Sequence, residues 1–298
     1  MKVILSRKGF DTHAGRIPSP IFPDGKMISL PISFRCAPTR FADAHYSYDG
    51  DDHTIGNLII ALRGRRIAPA PNDLCHTDPD LREETLAHFR GQMVDGWQAS
   101  LGQDSSAQGH LRNQEVGPGD LFLFFGRFHR IDATKNGGWQ YQQDANPIHV
   151  LYGWLQIGPD PIRASDPHLL NLYPWLQGHA HLCEGYAETV RGENVIYVAR
   201  EYLELCEVNA RGAGVFRFGS DLVLTAPFNS LCIWDLSRWW GLQMNTAFSH
   251  HNTEASRFGQ NPVLFNSRGP WQELVVDSED YPEILSWAAG LIEHHQEQ

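Results

Sequence analysis

The chain predicts an α+β fold, rich in strand and built as one compact unit over residues 1–298, with a small β-barrel near its middle and a helix at its C-terminal end. Three observations carry this. Short apolar runs bounded by Gly, Pro, Asp or Asn recur along the chain, helical periodicity is rare, and no stretch reads as a flexible linker.

Val3-Ile4-Leu5 opens the chain as an apolar strand. Leu58-Ile59-Ile60-Ala61-Leu62, Leu121 to Phe125, Val150 to Ile157, Asn194 to Val198 and Leu222-Val223-Leu224 are each of strand length and rich in branched and aromatic side chains, so each is expected as a strand. Asp80 to Phe89 follows Pro79 with acids in its first turn, which predicts a helix. Tyr281-Pro282-Glu283 opens a second helix, with Ile284, Leu285, Trp287, Ala288, Leu291 and Ile292 at helical spacing, and that stripe is expected to dock on the body. Residues 132–147, with Asn136-Gly137-Gly138 inside, read as the loop of a long hairpin. Residues 158–193 are an irregular span of a length that tends to be functional. Glycines flank the runs Leu121 to Phe125 and Trp154 to Ile157, which suits two barrel strands turning tight corners in a core of about residues 115–230.

Composition narrows the class. With 42% hydrophobic and 20% charged residues the chain is globular rather than disordered. No apolar run nears the ~18 residues that span a bilayer, and no leader pattern is visible, so no membrane partner and a cytoplasmic location are expected. Five dispersed cysteines suggest reduced thiols rather than a disulfide frame. The net charge of -11 is uneven: residues 1–70 carry ten basic and six acidic side chains, whereas residues 271–298 carry seven acids and no base. Such a chain is poorly built to grip a long nucleic-acid backbone through many cations. A local nucleic-acid contact through the N-terminal part, or a small nucleotide-like ligand, is the expected partner.

Candidate site residues gather in a few segments. Ser6, Arg7, Lys8 and Asp11 stand at the tip of the first strand, with Ser19 shortly after; hydroxyls and cations there suit an anion or phosphate. His76, Asp78 and Asp80 alternate before the predicted helix, a pattern that could hold a divalent metal or merely cap the helix. His179 and His181 are another alternating pair, and His181 is a candidate for metal binding or catalysis; His250 and His251 are adjacent, so at most one of them is expected to face a site, and His110 could pair with either group. Gln272 and Glu273 put an amide and a carboxylate at the start of a strand, where Glu273 or Asp11 could act as general base. Signatures of ATP, NAD and zinc-protease sites are absent.

Gly119-Asp120-Leu121 to Gly126 and Tyr152-Gly153-Trp154 to Gly158 are similar to strands of PUA-like barrels of the ASCH and EVE types. Together with Ser6 to Asp11, Pro18 to Ile21, His76 to Leu81 and Gln272 to Val275, in that order, they resemble the nucleotide modification associated domain 3 family over nearly the whole chain. One departure is Pro270-Trp271, which interrupts an expected Arg-Gly-Gln-Glu run. The resemblance implies association with base-modification systems, other proteins of such a system among the partners, and no particular reaction. Two functions follow as expectations. One is a metal-assisted enzyme acting on a nucleotide, modified base or similar phosphate-bearing molecule, with Arg7, Lys8, Ser6, Ser19 and Gln272 binding substrate. The other is a module that stacks a modified base on Trp154 or Phe128 without chemistry.

Overall fold

The computed structural model describes residues 1–10, 17–37, 39–64, 69–82, 96–186, 190–236, 264–268 and 273–297. The N-terminal strands are β1 (Lys2–Arg7), β2 (Ser19–Ile21), β3 (Ile32–Ser33), β4 (Thr39–Arg40), β5 (His45–Tyr48), β6 (Asp51–Thr54) and β7 (Leu74–His76). Then come β8 (Ser100–Asp104), β9 (Leu121–Ala133), β10 (Trp139–Tyr141), β11 (Ile148–Gln156), β12 (Ile162–Arg163), β13 (Asn194–Val198), β14 (Ala213–Val215), β15 (Ile233–Asp235), β16 (Leu264–Asn266) and β17 (Glu273–Asp277). Helices among the described residues are α1 (Ile55–Arg63), α2 (Ser105–Asn113), α3 (Leu169–Leu172) and α4 (Glu283–His295). The architecture is α+β, strand-rich, with a C-terminal helix as expected.

A central sheet runs β14-β11-β9-β1-β17. In it β1 lies parallel to β9 and antiparallel to β17. Val3, Ile4 and Leu5 of β1 are all fully buried, the mark of a strand covered on both faces. Each such side chain contributes about 1.5–3 kcal/mol on leaving water. A smaller sheet, β12-β13-β8, packs on one face: Leu101 and Tyr197 join the main core, and the Phe122 and Tyr197 rings meet edge to face at 5.3 Å. Its other face, through Ile196 and Val198, forms a separate core with Leu169, Trp175 and Leu176 of the 158–193 span. Trp234 of β15 and Phe265 of β16 pack into the main core as well, with Trp234 edge-on to Phe125 at 5.0 Å. No helix among the described residues is long and apolar enough to cross a membrane.

Several expectations change. Leu58 to Leu62 is not a strand but the body of α1: Thr54 Oγ1 accepts from the Asn57 amide to cap it, and Ile55, Leu58, Ile59 and Leu62 form the buried stripe while Ile60 faces out. A solid apolar run does not reveal its own period. Leu222 ends a 3-10 turn, and Val223 makes only an isolated bridge to Val150. The predicted hairpin loop is shorter than 132–147, because β9 runs to Ala133 and β10 pairs back on it. The central sheet is an open path, and no closed barrel is found among the described residues. The helix predicted at Asp80 to Phe89 falls mostly outside them; Asp80 itself pairs with Ser100 as an isolated bridge. The C-terminal helix begins where predicted, at Glu283, and buries Ile284, Ala288, Leu291 and Ile292.

Candidate functional site

The tip of β1 delivers its side chains to opposite faces of the central sheet. Alternation sends Ser6 and Lys8 one way and Arg7 the other. Ser6 stands directly opposite Glu273 of β17. Lys8 Nζ lies 3.4 Å from Glu273 Oε1, with both side chains almost fully buried. Gln103 of β8 donates its amide to the same carboxylate oxygen. Ser6 Oγ, fully buried beside this group, has no hydrogen-bond partner among the described residues. The strand tip and the far acid thus meet, as the sequence suggested, but Arg7 is not with them. Ser19 is elsewhere in the chain's hydrogen bonding, its Oγ accepting from the Leu30 amide at 3.1 Å. Asp11 and Gln272, and likewise His250 and His251, lie outside the described residues.

On the outer face of the small sheet a second polar group forms. Of the residues of β8 that face outward, Gly102 underlies His181 and Asp104 meets Tyr186, while His179 packs beside His181. Tyr186 donates its hydroxyl to Asp104, and burial together with that carboxylate pushes the phenol well above its ordinary range. His181 lies flat on Gly102, where a Cβ would stand 2.2 Å from the imidazole Cδ2. Only glycine leaves room for the ring.

His181 is held by one residue at two points. Asn194 Nδ2 donates to the His181 carbonyl oxygen at 3.1 Å, which turns Asn194 Oδ1 toward the imidazole Nδ1, 2.6 Å away. An amide oxygen only accepts, so Nδ1 carries the proton and Nε2 keeps its lone pair. His181, Asn194, Glu193, Arg163 and Asp166 line a cleft of about 550 Å³, within the size range of small-molecule sites. Cys183 also lines it, but burial raises its thiol above the ordinary range, which leaves it a poor thiolate.

The trio His76, Asp78 and Asp80 does not converge as a metal site. His76 Nδ1 bonds the carbonyl of Thr77 at 2.9 Å, and its ring packs edge-on against Phe34. Asp80 is engaged by the Thr77 hydroxyl and lies 3.9 Å from His179 Nε2. No group of three His, Cys, Asp or Glu side chains placed to hold a metal occurs among the described residues. Burial pushes His76 below the ordinary histidine range, against the pull of Asp78, with Lys8 and His181 adding to the depression. His76 therefore lies within electrostatic reach of both polar groups. Trp154 and Phe128 are core residues at 2% and 1% exposure; the Trp154 indole donates to the Arg211 carbonyl and packs on Phe216. A base could not stack on either without unpacking the sheet.

Asn194, Gln103, Arg127 and His149 were not singled out from the sequence. Asn194 had a weak signal, as a polar residue opening an apolar strand next to the irregular span. No curated protein and no solved structure matches the chain. The family model described as nucleotide modification associated domain 3 matches residues 2–277, and the chain belongs to that family, which ties it to nucleotide modification.

Proposed function

We propose that the chain is an enzyme acting on a nucleotide, a modified base or a similar phosphate-bearing small molecule, bound in the cleft beside His181. The observation that carries this reading is the double grip of Asn194 on His181, which fixes the tautomer that a general base requires. In this reading Nε2 takes a proton from water, a hydroxyl or a base N–H of the substrate, while the Nδ1 proton stays on its bond to Asn194. Arg163 at the cleft supports an anionic oxygen, and Asp166 and Glu193 offer acceptors to sugar hydroxyls or base amines. Lys8, Glu273 and Gln103 brace the small sheet from its other side. The rival reading, a base stacked on Trp154 or Phe128, has no such observation behind it.

The test is to incubate the full chain with nucleoside mono- and triphosphates and with DNA and RNA, then to weigh the products and digested nucleosides by mass spectrometry. Wild type should yield a product of altered mass, and His181→Gln should lower the rate by roughly 10²–10⁴-fold, the usual weight of a general base, with an unchanged melting temperature. No product from any of these, or wild-type turnover by His181→Gln, sinks the proposal.

A further inference from the structure

Arg7 faces away from Lys8, and its surroundings are of a different kind. In β1 it pairs with Phe125 of β9, so it shares a face with Phe125 and with Arg127 two residues on. His149 of β11 stands directly opposite Arg127 and shares that face too, its ring edge-on to Phe125 at 5.6 Å. Three nitrogen-bearing side chains from three adjacent strands therefore converge on one side of the sheet.

The protonation of His149 follows from its neighbour. The Trp234 indole, which can only donate, points its Nε1 at His149 Nδ1 from 3.0 Å. Nδ1 must accept, so the neutral imidazole carries its proton on Nε2. Burial holds His149 far below the ordinary range, at about 3, with the charges of Arg7 and Arg127 adding to that, so it is neutral near pH 7. His149 is 1% exposed, and its Nε2 finds no acceptor among the described residues; nor does the buried Nε of Arg127. Two buried N–H donors on one face are left without oxygen atoms to receive them. Leaving each unmet costs about 1–3 kcal/mol, a cost that an acceptor-only ligand removes. Arg127 as a whole is only partly buried, so the far end of the guanidinium reaches beyond the core in which His149 sits.

We propose that Arg127 and His149, with the positive charge of Arg7 nearby, form a binding site for a phosphate-class oxyanion, on the face of the central sheet opposite Lys8 and Glu273. An oxyanion of this class has unprotonated acceptor oxygens in several directions, enough to meet both N–H groups while any P–OH points away from them. Arginine presents matching donors in a rigid fork, and neutral His149 adds a directed one. The site does not depend on the role given to His181.

The full chain itself supplies the test. Long-range proton–nitrogen spectra should show His149 as the Nε2–H tautomer. Added inorganic phosphate should shift that resonance saturably, with half-saturation at or below roughly 1 mM. Arg127→Lys keeps the charge but lacks Nε, and should weaken binding about tenfold. A nucleoside 5′-monophosphate that binds tighter than phosphate assigns the site to the phosphoryl group of a nucleotide; equal or weaker binding assigns it to free phosphate. No shift with either, acetate binding as tightly as phosphate, or Arg127→Lys binding phosphate like wild type overturns the site. His181→Gln should leave the phosphate shift in place, so failure at one site is separable from failure at the other.

Discussion

One step along β1 separates two chemical settings. Lys8 enters a layer between two sheets where its charge is met by the Glu273 carboxylate at 3.4 Å, which also receives an amide from Gln103, although Ser6 Oγ beside them has no partner among the described residues. Arg7 enters the opposite face, where Arg127 and His149 offer donors that meet no acceptor among the described residues. In the first setting each charge meets its opposite within the protein. In the second, two buried N–H groups, Arg127 Nε and His149 Nε2, are left without an acceptor among the described residues, which is what the proposed oxyanion would supply. A cation at a strand tip is therefore not a site by itself; a buried donor that the fold leaves unmet is the stronger mark of one.

The largest effect should come from breaking the closed side. Lys8→Ala leaves Glu273 buried without its cation and is expected to cost about 3–5 kcal/mol in urea unfolding. A cost below about 1 kcal/mol would show that the pair is wet and the contrast false.

On the open side the expected signature is pH dependence. The folded chain holds His149 at about 3, below its ordinary 6.5, so the unfolded chain binds the extra proton first as pH falls. Stability contributed by neutral His149 is full above about pH 6.5 and is lost on the way down to about pH 3. Between about pH 6 and 4 the loss should be about 2–3 kcal/mol, and His149→Gln should flatten that limb. An unchanged limb in the variant would place the titration elsewhere.

Gly102→Ala sharpens the distinction between fold and site, because its Cβ would stand within 2.5 Å of the His181 ring atoms Cδ2, Cγ and Nε2. Displacing the ring should cost about 1–3 kcal/mol in stability and abolish the turnover that depends on His181. The smallest effect is expected at Arg127: exchanging it for Met removes a buried donor that has no acceptor, and should raise the stability of the ligand-free chain by about 1 kcal/mol. A loss of stability would mean that the guanidinium is already satisfied.

The legible part of the molecule was local. Leu121 to Phe125 and Asn194 to Val198 show their strand character in branched and aromatic residues between turn formers, and α4 shows its buried stripe in a clean 3.6-residue spacing. Leu58 to Leu62 failed because an unbroken apolar run suits either period; the cap at Thr54 was the overlooked signal. His76, Asp78 and Asp80 alternate in sequence, yet Asp80 is drawn into an antiparallel bridge with Ser100 that no local pattern announces.

By itself the sequence determined the strand-rich α+β class, the C-terminal helix, the family and the interest of the β1 tip. It placed Arg7 and Lys8 together at one anion site, although neighbours in a strand face opposite ways. What covers each face was decided only by tertiary structure. Lys8 meets Glu273 across 265 positions, Trp234 sets the His149 tautomer across 85, and Gly102 admits His181 from a separate segment. Local propensity acts over a few residues, whereas a charge is answered or left unanswered by whichever strands the folded core brings beside it.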